Sequence, residues 1–140
     1  MPLPTAVQLQ IVSADRALVN ERVDEVEIPG ADGYFGVLPG HTPLLALLGA
    51  GELWYRQGPE KHYLAIGFGF AEVQPDRVTI LAEIAEKADE IDVARAEEAK
   101  KRAEQLLISA QVDMDAERAR VALMKALIRL QVSTRARIRS

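Results

Sequence analysis

Apolar and polar residues alternate with a period of two over residues 7–82, and then the period changes. Val7-Gln-Leu-Gln-Ile11 alternates cleanly and predicts a half-buried strand. Further short strands are predicted at Ala17–Asn20, Val23–Pro29 (Val26 and Ile28 inward), Tyr34–Leu38, Pro43–Leu48, Glu52–Arg56, Lys61–Ile66, Gly67–Val73 and Arg77–Ala82. Turn chemistry separates them: Gly30-Ala-Asp-Gly33, Pro39-Gly40, Gly49-Ala-Gly51, Gln57-Gly-Pro-Glu60 and Pro75-Asp76. Short strands with regular turn signals predict an antiparallel sandwich or barrel.

Ala82 to Glu90 has no Gly or Pro and is rich in small and charged residues, so it reads as a linker, extended or partly helical. Beyond it the pattern is helical. Asp89 and Asp92 suit an N-cap, because a short side-chain oxygen can accept from the free amides of the first turn. Ala96, Ala99, Ala103, Leu106 and Ala110 then trace a narrow seam, and Ala116, Ala119, Leu123, Ala126 and Leu130 trace a second. Gln111 to Asp115 interrupts them, with Asp113 or Asp115 as the next N-cap. Two helices with a short connection predict an antiparallel hairpin. The expected organisation is a β-sandwich at 1–84, a linker at 85–90 and a two-helix arm at 91–140. The seams are mostly alanine, and each methyl buries on the order of 0.8 kcal/mol. Such a hairpin is either held closed so weakly that a competing partner can open it, or an alanine-rich surface hairpin that never opens.

Charge sharpens the division. The net charge of −4 splits into −6 over residues 1–84 (five basic, eleven acidic) and +2 over residues 85–140 (twelve basic, ten acidic). Arg118, Arg120, Lys125, Arg129, Arg135, Arg137 and Arg139 follow one another with no intervening acid, which predicts an anionic partner surface. The absence of cysteine excludes a disulfide scaffold, a thiol nucleophile and a thiolate metal site. The opening Met-Pro-Leu-Pro-Thr does not read as a signal peptide, and no apolar run approaches the ~18 residues of a membrane span.

Catalytic chemistry is hard to find. The two histidines, His41 and His62, lie on different predicted elements, which argues against a histidine metal site. His62 reads as a strand residue with a satisfied ring. His41 sits between Pro39 and Pro43, where it either bonds nearby backbone or contacts a partner. No serine lies in a nucleophile elbow. Gly67-Phe-Gly-Phe-Ala71 leads into strand rather than helix, so its glycines predict close packing or a bulge, not a dinucleotide loop. Arg95 and Arg102 share one helix face, as do Lys125 and Arg129. In an antiparallel pair these four cations could converge on a phosphate chain, or remain ordinary solvated charges.

Four features together resemble the epsilon subunit of bacterial and chloroplast F-type ATP synthases, called delta in mitochondria. They are Gly33-Tyr-Phe-Gly-Val-Leu-Pro-Gly-His-Thr-Pro43, Gly67-Phe-Gly-Phe-Ala-Glu-Val73 followed by Arg77-Val-Thr-Ile-Leu-Ala82, Ile91-Asp-Val-Ala-Arg-Ala96, and the basic second helix. The resemblance spans nearly the whole chain in order. It implies an all-β N-terminal domain, an antiparallel sandwich of about ten strands, followed by a helical hairpin. It implies a non-catalytic central-stalk subunit that joins the gamma subunit, rests on the c-ring and sits peripherally on the cytoplasmic face of the bacterial inner membrane. By the same resemblance the hairpin can extend into the catalytic head and block ATP hydrolysis. Arg118, Arg120, Lys125, Arg129 and Arg135 would then face acidic segments of the alpha and beta subunits. The turn Asp32, Gly33, Tyr34 and Phe35 matches the c-ring-facing loop, with Tyr34 where some members are acidic, which makes that contact more apolar. His41 matches a position near gamma. No cofactor is required, but some members bind regulatory ATP at positions matching Glu86, Asp92, Arg95, Arg102, Lys125 and Arg129. Lys125 keeps the charge of the arginine found there in such members and lacks its planar fork.

Two other functions compete. One is an ATP-sensing small-ligand module. The other is a nucleic-acid-binding module using the basic tail, which the acidic first part and the 5% aromatic content disfavour.

Overall fold

A computed structural model of the chain describes residues 3–139, with side chains through residue 136. It divides into two compact units, residues 1–87 and 88–140. The first holds seven strands: β1 (Val7–Val12), β2 (Ala17–Val23), β3 (Glu25–Gly30), β4 (Gly33–Val37), β5 (Leu44–Gln57), β6 (Glu60–Val73) and β7 (Arg77–Lys87). Their hydrogen-bonded order is β2-β1-β7-β6-β5-β3-β4, with β1 and β7 parallel and every other neighbouring pair antiparallel.

That order forces the sheet to fold over. β2 is an edge strand and four strands separate it from β3, yet a single residue, Asp24, joins them. So short a link is possible only if the sheet curls until the two strands meet at a corner. Side chains tie that corner down. Tyr55 on β5 donates to the Glu21 carboxylate at 3.3 Å, Gln57 Nε2 donates to the Arg22 carbonyl at 3.0 Å, and Arg56 Nε pairs with Glu25 at 3.3 Å. Burial, and then the nearby Glu21 carboxylate, push Tyr55 up to about 12, so its phenol remains a donor.

The bend runs along one line. Leu48 pairs with Gly69 and Ala50 with Gly67, so Gly49 and Phe68 fall opposite each other. Likewise Gly67 pairs with Ile84 and Gly69 with Ala82, so Phe68 and Glu83 fall opposite each other. Across this line the phase of burial shifts by one. On β6 the core residues are Leu64 and Ile66 before it, and Ala71 and Val73 after it. Backbone geometry confirms the bulge: φ is 57° at Phe68 and 144° at Gly69. Counting the two halves of β5, β6 and β7 separately turns seven strands into ten, arranged as two packed layers. Between them lies one core, built on Leu9, Ile11, Ile28, Leu53, Leu64, Ile66 and Ile80, each fully buried. Burying each of these is worth roughly 1.5–3 kcal/mol.

The stretch read from sequence as a linker is partly strand. Residues 83–87 continue β7, because Ile84, Ala85 and Glu86 pair with Gly67, Ile66 and Ala65. The alternation is lost there because Ile84 and Ala85, just beyond the bend at Glu83, are both buried.

In the second unit a 3₁₀ turn, Ala88–Glu90, precedes α1 (Val93–Ser109) and α2 (Asp113–Arg139). Asp92 caps α1, its carboxylate accepting from the Arg95 amide at 3.1 Å. For α2 the cap is not Asp113 or Asp115. Val112 precedes the first helical residue and its carbonyl accepts from Asp115 and Ala116, while both aspartates sit in the first turn. There they favour the positive end of the helix dipole. The helices meet through Ala96, Ala103, Ala119 and Ala126, all nearly fully buried. Leu106 is 57% exposed, and half-buried Leu107 takes its place in the seam.

Candidate functional site

Register places four apolar residues side by side on the outside of the sandwich. Leu47 on β5 pairs with Phe70 on β6, Phe70 with Leu81 on β7, and Leu81 with Val12 on β1. Paired residues point to the same face of a sheet. Leu47 is 71% exposed, Phe70 44% and Leu81 41%, and Val12 is half-buried. Leu45, 69% exposed, lies beside this row and is paired with Glu72. Glu72, Thr79 and Gln10 continue from Leu45 as a parallel polar row. An apolar strip with a polar margin is the anatomy of a protein-docking face. No local pattern pointed to it, because the four residues come from four separate strands.

The turn between β3 and β4 is the second exposed feature. Gly30 pairs with Gly33, leaving Ala31 and Asp32 at the tip, and Gly33 takes φ 129°. Asp32, Gly33 and Tyr34 are exposed, whereas Phe35 turns inward and packs against the core. Tyr34 repairs a gap in the sheet. Pro29 has no N–H to donate, and the β3–β5 ladder lapses between Glu27 and Gly30. The Glu52 amide donates instead to the Tyr34 phenol oxygen at 3.1 Å. Gly51 leaves room for that ring, since a Cβ there would collide with it. Tyr34→Phe is expected to remove this bond and to cost about 1–2 kcal/mol in urea unfolding. An unchanged midpoint would show that the bond holds nothing.

The histidines differ from each other. His41 Nδ1 donates to the Thr42 carbonyl at 2.7 Å, a local backbone bond. The expected satisfied ring of His62 is not found: its Nε2 is buried without a hydrogen-bond partner, 3.8 Å from the Glu60 carboxylate. Stacking on Tyr55, with centroids 4.9 Å apart, holds the ring in the cross-strand pair instead.

The candidate nucleotide residues divide between the units. Glu86 is on β7. Asp92 spends its carboxylate on the α1 cap, and Arg95 and Arg102 are exposed on α1. Lys125 and Arg129 are half-buried on α2. Among the basic residues of α2, Arg118, Lys125 and Arg129 share a flank by their spacing of seven and four. Arg120 points elsewhere and pairs with Glu117 at 2.6 Å. Arg135 is half-buried, and Arg137 and Arg139 lie outside the residues whose side chains are described. Among the described residues no cluster of His, Asp or Glu could hold a metal ion, and no helix is long and apolar enough to cross a membrane.

Residues 6–88 match the family described as ATP synthase, Delta/Epsilon chain, beta-sandwich domain, and residues 89–134 match its long alpha-helix domain. The chain belongs to the ATP synthase delta/epsilon family. It is 49% identical to the ATP synthase epsilon chain of Herpetosiphon aurantiacus over 91% of this chain and 93% of that one. It is 55% identical to that of Koribacter versatilis over 71% of this chain and 70% of the relative. Among solved structures, a chain of the Euglena gracilis mitochondrial ATP synthase aligns with a TM-score of 0.80 at 24% identity, covering 99% of this chain and 84% of that one. At that identity the likeness concerns the fold. As a delta/epsilon chain the protein is a non-catalytic subunit of F-type ATP synthase, a β-sandwich followed by two helices.

Proposed function

We propose that this subunit docks on the gamma subunit of the central stalk through the apolar row Leu47, Phe70, Leu81 and Val12, and meets the c-ring through the Asp32–Tyr34 turn. The single observation that carries the reading is the row itself. It is exposed, crosses four strands and is flanked by polar residues. Its apolar character favours a protein partner over a nucleic acid, whose backbone calls for a basic groove. The solved relatives come from assemblies of this kind: the Euglena chain from one of OSCP, F1 and c-ring, the Tetrahymena thermophila chain from one of central stalk and c-ring. The place of work is then the membrane-facing end of the F1 head, on the cytoplasmic side in a bacterium.

The helical unit restrains ATP hydrolysis in this reading. Its alanine seam permits close approach and holds the pair lightly. Arg118, Lys125 and Arg129 offer one basic flank to acidic segments of alpha and beta, with Arg135 further along α2. Regulatory ATP, drawn by Arg95, Arg102, Lys125 and Arg129, acts on the same arm.

The test is binding to purified gamma subunit. Leu47→Glu places a carboxylate in the row, and burying it unpaired is expected to weaken binding about tenfold or more. Both wild-type and variant should melt alike, since Leu47 is mostly exposed. Unchanged affinity would remove this face as the docking site.

A further inference from the structure

The residue at the bend of β6 is a phenylalanine held in a backbone conformation that suits glycine. Phe68 holds φ 57°, the left-handed region that glycine and asparagine enter readily and bulky residues avoid. It is the one non-glycine residue with positive φ among the described residues. Glycine stands on both sides of it, at 67 and 69, so the bulge itself does not demand a ring at 68. The side chain is half-buried and lines an open groove of about 430 Å³ together with Val12, Ser13, Ala14, Leu81 and Ala82. Two of those residues, Val12 and Leu81, also belong to the apolar row. The groove therefore continues the row at the bend in the sheet. Strained residues kept in place by the surrounding fold concentrate at functional contacts.

We infer that Phe68 is a specificity-determining residue of the stalk interface. Its ring walls a groove that takes an apolar side chain of the gamma subunit. The inference rests on the docking reading above and adds to it a particular recess, a particular ring and the chemistry of what enters. The strain is retained because glycine at 68 would relax the backbone and remove the wall.

This predicts an unusual pair of effects from one substitution. Phe68→Gly frees a left-handed position, so the variant should melt at the same temperature as wild type or higher. Its affinity for purified gamma subunit should fall about tenfold, the loss typical of an apolar interface anchor. Phe68→Asn, which also tolerates the conformation but lacks the ring, should behave the same way. Leu47→Glu is measured alongside. Normal affinity of Phe68→Gly beside a weakened Leu47→Glu overturns the role of Phe68 and leaves the docking face standing. Normal affinity of both overturns the face and this inference with it. A clear drop in the melting temperature of Phe68→Gly also overturns it, because the ring would then be serving the fold.

Discussion

Replacing Gly69 with alanine is expected to destabilise the sandwich by at least ~3 kcal/mol, a large share of the roughly 5–15 kcal/mol that holds a domain of ordinary stability. Two independent effects add. Gly69 takes φ 144°, which an L side chain rarely adopts. A Cβ there would also run into the carbonyl oxygen of Leu81 on β7, with more β7 backbone just behind it. Backbone held in a ladder cannot swing aside as a side-chain tip can. The site is the bend of β6, where the burial phase changes, so a shift there would displace Phe70 on one side and Ile66 on the other. Urea unfolding of the isolated subunit reads the effect. A midpoint close to wild type would mean that the bulge relaxes easily and does not fix the fold. The contrast with Phe68→Gly one residue earlier is deliberate, since adding a side chain at 69 is costly whereas removing one at 68 is not.

Removal of residues 88–140 is expected to leave a folded sandwich that still assembles, and to raise ATP hydrolysis by the complete enzyme. The core cluster draws all its members from Val7 to Ala85, so the first unit keeps its interior when the helices are gone. The docking row and the Asp32–Tyr34 turn remain as well. The size of the increase reports how often the arm blocks the head. If it does so in nine-tenths of the enzyme, removal should raise the rate about tenfold. Assembly failure, or an unchanged rate, would count against the arm as a restraint. The same comparison across ATP concentrations tests the nucleotide reading. Cations that hold ATP on the arm should make the intact enzyme respond to ATP beyond substrate saturation, and the shortened enzyme should lose that response.

In the proposed reading, the light alanine seam is what lets the arm open. Four nearly buried methyl groups contribute only about 3 kcal/mol between the helices, at ~0.8 kcal/mol each. The sequence made the seam itself legible, because alanine recurs at helical spacing whatever the tertiary context. It left open which of two adjacent leucines joins the seam. Leu106 and Leu107 both fit spacings of three or four, and packing chose Leu107.

Similar limits apply to the sandwich. Alternation along Val7–Ile11 was readable because side-chain direction in a strand depends on the local backbone alone. It failed at residues 83–87, where Glu83 lies at the bend and buried Ile84 and Ala85 follow each other without alternation. The Tyr34–Glu52 bond and the unsatisfied His62 ring were out of reach too, since each depends on what a neighbouring strand places opposite.

By itself the amino-acid order determined the two kinds of secondary structure, the switch between them around Asp89 and Asp92, the glycines of β6, the uneven charge and the family motifs. All of these are properties of neighbours in the chain. Tertiary structure alone decided the exposed apolar row, because Val12, Leu47, Phe70 and Leu81 become adjacent only through strand register. Register is set by the shared core and by the bend at Gly49, Phe68 and Glu83, and no single strand carries that information.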